Sequence, residues 1–422
     1  MHRIVLLAVI LTVAFMVPVW SADVPEPDPT AAGFSAERLD RIDAVMKRYV
    51  ESGTFPGMTV VVARNGQVGY SRSFGYSDVE AQKPVQRDTV FRIYSMSKPV
   101  TVVAVMMLYE EGRFMLDEPV SKYIPSLKEV KVYQPPGSSE TPPADREMTI
   151  RDLLRHTAGL GYGWGDDPVS DVYRKLNVLD RSVTLAEAVD RLALAPLYFA
   201  PGSEWRYSVS IDVLGRLVEI WSGQTLDVFF QERLFGPLGM SDTGFFVQPG
   251  QEERLTALYQ FNSEGRLVRV PDTAAIAPYD PNRSKLLSGG GGLLSTTADY
   301  LRFAQMLLNG GELNNVRILG ERTIRLMSAD HLPAGIVLPW DKLQGHGYGF
   351  GVSVLTDIPT SLGMGSVGDW GWDGAASTYF RVDPEERLLI LLMTHRMPCD
   401  TEIQVKLKTL VYQALGSLES SK

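Results

Sequence analysis

Cysteine is almost absent from this sequence, because Cys399 is the only one among 422 residues. A single thiol cannot close an internal disulfide. Closely spaced cysteine and histidine ligands are missing too, and no H-E-x-x-H pattern occurs anywhere in the chain. We therefore expect neither a metal ion nor a cofactor in this protein.

Dense runs of lysine and arginine are also missing, and the formal net charge is −9 at pH 7. This balance argues against nucleic acid as the main partner. Hydrophobic residues make up 45% of the chain and charged residues 22%, as in ordinary globular proteins. The length allows one large domain or two intertwined ones with an ample core.

Only one long apolar run occurs, at residues 4–20, and it follows the basic start His2-Arg3. A polar, proline-rich stretch comes next, and Ser21, with Val19 two residues before it, fits the small-residue rule for cleavage. This pattern predicts a signal peptide over residues 1–22, cleaved after Ser21 or, less favourably, after Ala22. The alternative is an uncleaved membrane anchor, but the run is short for a span. We expect a periplasmic or secreted protein with no stable membrane span after signal removal.

The G-x-S-x-G motif of α/β-hydrolases is missing as well, which argues against their Ser-His-Asp triad. Instead, Ser95 stands three positions before Lys98 at the start of an apolar segment, residues 100–108. Positions i and i+3 of a helix are neighbours, so an uncharged Lys98 amine could take the Ser95 proton. Burial of such a core helix would lower the pKa of Lys98. The unpaired N–H groups of a helix start could face a developing oxyanion.

Periodicity predicts a helix at residues 34–52 and strands at residues 57–63, 66–74 and 89–94. Further strands are expected at residues 352–356, 377–382 and 388–394, before a C-terminal helix at residues 401–415. The middle third reads as mostly helical. We therefore predict a discontinuous α/β sheet domain, residues 23–130 and 288–422, with a mainly helical domain, residues 131–287, inserted. The active site is expected at the interface of the two domains.

Three segments form a pattern, in this order along the chain: Ser95-Met96-Ser97-Lys98, then Tyr207-Ser208-Val209, then Trp372-Asp373-Gly374. Together they resemble the serine β-lactamase and penicillin-binding-protein superfamily, closest to the class C β-lactamase-like family VIII carboxylesterases. The resemblance covers the chain from about residue 34 onward. It implies a β-lactamase/transpeptidase-like fold, in which an antiparallel sheet is flanked by helices and carries an inserted all-helical domain.

The resemblance also assigns roles at the site. Ser95 would be the acylated nucleophile, and Lys98 and Tyr207 would move its proton, with the general base disputed between the two within the superfamily. The backbone N–H groups of Ser95 and Ala375 would form the oxyanion hole. Substrate would contact three further positions: Trp372, Gly374 and Val209.

Two positions depart from the pattern of the β-lactamases. Val209 stands where class C enzymes have an asparagine, and Trp372 stands where the third segment opens with a lysine. An amide and a cation that would hold a carboxylated lactam are replaced by apolar groups, which favours uncharged substrates. The predicted function is therefore that of an exported serine hydrolase acting on short-chain or aromatic carboxylic esters through an acyl-enzyme on Ser95.

Two alternatives remain open. The same scaffold could act as a β-lactamase or as a D-amino-acid peptidase or amidase, so the partner is a small-molecule ester or lactam. The other alternative is a penicillin-binding sensor without turnover.

Two details are also open at this point: Asp373 could face the pocket or point away, and His395 could touch substrate. His156 is expected to satisfy local backbone groups. The glycine run at residues 289–292 lacks a following Gly-Lys-Ser/Thr and predicts tight packing beside the site.

Overall fold

The computed structural model describes residues 23–134, 146–272 and 284–416, so the predicted signal peptide lies outside the described residues. The helices are α1 (Ala36–Glu51), α2 (Ser97–Glu110), α3 (Ile150–Leu154), α4 (Pro168–Leu176), α5 (Leu185–Leu192), α6 (Ser210–Ser222), α7 (Leu226–Phe230), α8 (Gly236–Leu238), α9 (Thr297–Leu308), α10 (Glu321–Met327) and α11 (Thr401–Tyr412). The strands are β1 (Gly57–Arg64), β2 (Gln67–Asp78), β3 (Lys83–Pro84), β4 (Val90–Arg92), β5 (Tyr259–Phe261), β6 (Leu267–Arg269), β7 (Leu294–Thr296), β8 (Glu312–Leu313), β9 (Val316–Arg317), β10 (His346–Tyr348), β11 (Ser353–Leu355), β12 (Trp370–Asp373), β13 (Tyr379–Asp383), β14 (Leu388–Thr394) and β15 (Arg396–Met397).

The main sheet has the strand order β10-β11-β12-β13-β14-β1-β2-β3, and its neighbours pair antiparallel. Strands β1 and β14 lie side by side near the middle of this sheet and are buried along their whole length. Their register runs from Met58 opposite Thr394 to Arg64 opposite Leu388. Continuous apolar sequence is what a strand covered on both faces requires. The first and last thirds of the chain therefore meet at the centre of one sheet.

The hairpin between β1 and β2 turns at Asn65 and Gly66, which have φ values of 52° and 74°. Both are left-handed conformations, as a two-residue type I′ hairpin turn requires, and asparagine followed by glycine adopts them readily. This turn fixes the pairing of the N-terminal strands.

Alternate residues of the central strands point into two different helical layers. Val60, Val62 and Ile390 pack in the cluster that contains α1 and α11. On the opposite face, Val61 and Leu391 pack in the larger cluster that contains α2, α6 and α9. The sheet is therefore sandwiched between helices, and the side that holds α2 also holds the predicted nucleophile.

Helix α2 is the core helix of that layer, because every residue from Ser97 to Leu108 is buried. It packs against α6, which in turn contacts α3, α5 and α7. The named elements from α3 to α8 are all helices, with a π-helical turn at Gln231–Phe235, and loops connect them. Strands β5 and β6 follow it and pair with β15 in a separate small sheet.

The predicted α/β class with an antiparallel sheet between helices is confirmed. The boundaries of the two domains, at residues 130/131 and 287/288, stay a prediction. The strand expected at residues 89–94 ends earlier, at Arg92, because the chain turns there into a 3-10 helix, Tyr94–Met96. Helices α4 and α10 were not predicted. Within the described ranges, no helix is both long and apolar enough to cross a membrane.

Candidate active site

Ser95 lies in the tight 3-10 turn Tyr94–Met96 that leads directly into α2. Tyr94 has a φ of 42°, which is a left-handed conformation that a tyrosine rarely adopts. The Ile93 N–H donates to the Leu293 carbonyl at 3.1 Å and ties the turn to the glycine-rich segment. Strained backbone of this kind clusters at functional sites. Ser95 is half-exposed, whereas its neighbours Tyr94 and Met96 are buried.

Lys98 is completely buried, and its Nζ lies 3.2 Å from Ser95 Oγ. The same amine donates to the Gly290 carbonyl at 2.5 Å. Burial lowers the pKa of Lys98 to about 7, although the negative charges of Asp212 and Asp373 oppose the shift. An amine with this pKa is partly uncharged at neutral pH, which a proton acceptor requires.

Tyr207 completes the group on the other side of the amine. Its ring centroid lies 4.4 Å from Lys98 Nζ, and its phenol hydrogen-bonds with the Ser95 side chain. The indole N–H of Trp372 donates to the Tyr207 oxygen at 3.0 Å. Burial raises the pKa of Tyr207 well above its ordinary value, and the hydrogen bonds from Ser95 and Trp372 lower it only in part. The phenol is therefore protonated at neutral pH.

A wall of aromatic rings surrounds Tyr207. Tyr162 and Trp164 stack flat on each other, with centroids 4.2 Å apart at 7°, and both rings approach Tyr207. Trp340 meets Tyr207 edge-on at 5.2 Å. Trp164 is 72% exposed, so the wall reaches the surface. The approach to Ser95 is lined with apolar rings and suits uncharged groups.

The turn after β12 packs directly against the segment that carries Ser95. The Gly374 N–H donates to the Thr378 carbonyl at 2.8 Å, and a Cβ on Gly374 would lie only 2.4 Å from the Ile93 carbonyl oxygen. Glycine is therefore needed for this close approach. Ala375 follows in the same turn and packs with Tyr94. The turn is thus beside the nucleophile, while the oxyanion role of Ala375 stays a prediction.

The positions with predicted substrate contacts differ in their surroundings. Trp372 is 3% exposed and lies on β12 with its indole N–H on Tyr207. Val209 is buried in the main core immediately before α6, and its N–H donates to the Gly161 carbonyl at 3.4 Å. The structure therefore brings Ser95, Lys98, Tyr207 and Trp372 together in one contact group. Direct contact of substrate with Val209 stays a prediction.

A family model named Beta-lactamase matches residues 42–410 of this chain. The chain belongs to the β-lactamase family. Protein Rv1367c of Mycobacterium tuberculosis is 36% identical over 371 residues, which cover 85% of this chain and 90% of the relative. Esterase EstB of Burkholderia gladioli is 33% identical over 387 residues, or 87% of this chain and 93% of the relative.

Among solved structures, this β-lactamase-family chain is similar to EstCE1, described as a hydrolase with promiscuous acyltransferase activity. The two share 28% sequence identity and a TM-score of 0.76, and the match covers 89% of this chain and 99% of EstCE1. The family and these relatives together make the protein a serine hydrolase, as the sequence predicted.

Asp373 of this β-lactamase-family site does not stand as a free charge. Lys342 Nζ pairs with Asp373 Oδ2 at 2.5 Å. The same ammonium lies 5.2 Å from the Trp340 ring and 5.8 Å from the Trp372 ring. Burial acts against the charged amine, but Asp373 outweighs it and raises the pKa of Lys342. Asp373 therefore stands in an ion pair, and its direction relative to bound substrate stays a prediction.

The expectation for His156 was wrong, and the possibility left open for His395 is answered by its burial. His156 bonds through Nδ1 to the Ser208 hydroxyl at 3.0 Å, a side chain of the second segment instead of local backbone. Burial lowers the pKa of its imidazole well below the usual value. His395 is 1% exposed and packs between Phe91 and Tyr259, so it does not face substrate. Both rings are packed as neutral side chains.

Sequence reasoning missed Trp340, Lys342 and Asp212. The first two lie in the irregular stretch between α10 and β10, where no periodic pattern marks them. Asp212 lies in the first turn of α6, and its position five residues after Tyr207 was its only signal. The tight packing predicted for the glycine run is confirmed, because a Cβ on Gly290 would lie 2.5 Å from Asp212 Oδ2.

Proposed function

We propose that this serine hydrolase cleaves uncharged carboxylic esters, with short-chain or aromatic acyl groups, through an acyl-enzyme on Ser95. The observation that carries the proposal is the contact group at the nucleophile. Lys98 Nζ lies 3.2 Å from Ser95 Oγ, and Tyr207 is held on the other side by the indole of Trp372. A serine hydroxyl becomes a nucleophile when a base of matched pKa is within hydrogen-bond reach.

The structure favours Lys98 over Tyr207 as the base. The pKa of Lys98 is about 7, so a large fraction of the amine is uncharged at neutral pH. The pKa of Tyr207 is raised well above its ordinary value, so a phenolate would be rare in the free enzyme. We assign to Tyr207 the delivery of a proton to the leaving group, with Lys98 replacing that proton.

In the acylation step, Ser95 Oγ attacks the ester carbonyl carbon while the hydroxyl proton passes to the Lys98 amine. The tetrahedral intermediate then loses the alcohol as the carbon–oxygen bond breaks. Tyr207 protonates the departing alkoxide, and the Lys98 ammonium reprotonates Tyr207. The products of this half-reaction are acyl-Ser95 and the free alcohol, with both proton carriers restored.

In the deacylation step, water attacks the acyl carbonyl and releases the carboxylic acid and free Ser95. The backbone N–H groups of Ser95 and Ala375 are proposed to stabilise the oxyanion in both steps. Removal of one such donor typically costs roughly 3 kcal/mol of transition-state stabilisation.

The choice of uncharged esters rests on the groups around Tyr207. Trp372 occupies the position of the cation that would hold a carboxylate, and Val209 offers no amide. Lys342, the lysine that lies against the rings of Trp340 and Trp372, is already paired with Asp373. An anionic substrate would have to break that pair without a replacement partner, so it is disfavoured.

We also propose that the protein is exported, on the strength of the signal-peptide pattern at residues 1–22. N-terminal sequencing of protein recovered from the periplasmic and culture fractions tests this. A mature chain that starts at residue 22 or 23 is expected. Full-length chain retained in the membrane or cytoplasmic fraction would refute export.

The decisive experiment is a panel of p-nitrophenyl esters, nitrocefin and a D-alanyl peptide, given to wild type and to Ser95→Ala. Ser263 is an exposed serine remote in sequence from the site, so Ser263→Ala serves as the matched control. We expect rapid turnover of p-nitrophenyl butyrate by wild type and the control, and none above background by Ser95→Ala. Preferential nitrocefin or peptide turnover would replace the ester assignment. A stable adduct without product release would indicate a sensor.

A further inference from the structure

Asp212 is a buried carboxylate with an unusual set of contacts. Its Oδ1 accepts hydrogen bonds from the Ser288 hydroxyl at 2.5 Å and from the Gly290 N–H at 3.2 Å. Its Oδ2 is buried and has no hydrogen-bond partner within the part of the chain that the structure describes. A buried charge with an unsatisfied oxygen is costly, so its retention at this place points to a functional role.

The glycine turn at residues 288–292 is held from two helices. From α2, the Thr101 hydroxyl donates to the Gly289 carbonyl at 2.8 Å. From α6, Asp212 accepts from Ser288 and Gly290. A Cβ on Gly289 would lie 3.0 Å from Thr101 Oγ1, and one on Gly290 would lie 2.5 Å from Asp212. The turn is therefore fixed in one position between the two helices.

Gly290 connects Asp212 to the catalytic amine. Its N–H faces Asp212, and its carbonyl accepts the hydrogen bond from Lys98 Nζ at 2.5 Å. Burial lowers the pKa of Lys98 and raises the pKa of Asp212, and the attraction between the two charges opposes both shifts. Both opposing effects have the sign of a single attraction across one glycine residue.

We propose that Asp212 is a positioning residue for Lys98, which fixes the Gly290 carbonyl on the amine and supplies a negative charge behind it. This rests on the proposed function, in which Lys98 is the base for Ser95. The other titratable groups that face the amine come from four separate segments: Asp373 on β12, Tyr207 before α6, Tyr162 before α4 and His156 after α3.

Asp212→Asn separates the charge of this residue from its shape. The asparagine side chain has nearly the same volume, and its amide oxygen can accept the same hydrogen bonds from Ser288 and Gly290. Without the negative charge, Lys98 binds its proton less tightly. The pH below which Ser95 loses reactivity should therefore fall by about one unit.

The experiment measures the rate constant for modification of Ser95 by a fluorophosphonate between pH 5 and 9. In this reaction the Ser95 oxygen–phosphorus bond forms, fluoride leaves, and the hydroxyl proton passes to the base. Ser288→Ala is the matched control, because it removes one contact of Asp212 but keeps the charge. The acid limb is the part of the pH profile in which the rate falls towards low pH. We expect this limb to move to lower pH in Asp212→Asn and to stay in place in Ser288→Ala. Thermal melting is recorded for both variants.

An unshifted limb in folded Asp212→Asn would overturn the proposal, since a merely structural role lowers the melting temperature without moving the limb. If Asp212→Asn does not fold, Asp212→Glu replaces it, with the charge kept and the carboxylate displaced. The rate at pH 8 is then expected to fall at least tenfold with the limb unmoved, and a wild-type rate would overturn the proposal. If the fluorophosphonate labels Ser95 but the enzyme cleaves no ester, the proposed substrate class is refuted and the proposed role of Asp212 is not.

Discussion

The hydrogen bond from Trp372 to Tyr207 offers a direct test of the proposed proton path. Trp372→Phe keeps an aromatic ring on β12 but removes the indole N–H that lies 3.0 Å from the phenol oxygen. In the free enzyme the phenol is neutral, and a neutral hydrogen bond is worth about 1 kcal/mol. In the step that protonates the leaving group, the Tyr207 oxygen becomes negative, and the bond then strengthens to roughly 2–3 kcal/mol.

The difference between these two states is what the reaction rate reports. We expect kcat of Trp372→Phe to fall about tenfold or somewhat more, with KM changed much less, because a bond that strengthens only in the transition state affects kcat. Trp372 is 3% exposed, so the smaller ring also leaves a void. The free energy of unfolding should fall by about 1–2 kcal/mol.

The assay is steady-state hydrolysis of p-nitrophenyl butyrate at pH 8, with urea unfolding measured on the same samples. Trp340→Phe is the matched control, since Trp340 packs edge-on to the same Tyr207 ring at 5.2 Å and its replacement keeps the Trp372 hydrogen bond. The reasoning is refuted if Trp372→Phe keeps kcat within twofold of wild type, or if both tryptophan variants lose kcat equally.

Three further outcomes are expected. The pKa of Lys98 is about 7 and the amine must be uncharged to act, so kcat/KM should fall about tenfold per pH unit below pH 7 and level off above it. A pH profile without this fall would contradict Lys98 as the base. Tyr207→Phe should lower kcat by about 10²–10⁴-fold. In the control Tyr162→Phe, whose ring lies 5.5 Å from the Lys98 amine, kcat should stay near the wild-type value. Equal losses of kcat would argue against a special role for the Tyr207 hydroxyl. Asp152→Ala leaves the mostly buried Arg155 without its partner at 3.1 Å, so the free energy of unfolding should fall by about 3 kcal/mol. An unchanged urea midpoint would show that the pair is not structural.

Much of the fold was predicted correctly from local sequence patterns. The fully apolar strand at residues 388–394 was located to the residue, because a strand covered on both faces needs an unbroken apolar run. The start of helix α3 is likewise set by near neighbours, since Thr149 and Asp152 form a reciprocal capping box. The pairing of Lys98 with Ser95 followed from helical spacing alone. These features depend on neighbours in sequence, and such neighbours are visible without coordinates.

The rest of the site depends on contacts between distant segments. Trp340 and Lys342 reach the site from an irregular stretch, where neither period nor turn chemistry fixes the direction of a side chain. The bond between Asp212 and Gly290 joins two segments 78 positions apart in the chain. The ion pair of Asp373 likewise depends on a distant segment, because its partner Lys342 lies 31 positions earlier. Sequence patterns report periodicity, whereas these partners are set by the packing of whole layers.

The burial of Lys98 affects the stability of the folded protein as well as the reactivity of the amine. An amine whose pKa falls from 10.5 to about 7 on folding binds its proton less tightly in the native state. The folded form is therefore disfavoured as pH drops from 10.5 towards 7, by roughly 1.4 kcal/mol for each unit of the shift, and the full penalty remains at lower pH. Replacing the amine by the thioether of methionine would remove this penalty and the activity together. Selection for heat resistance without an activity screen should thus favour inactive proteins altered at residue 98.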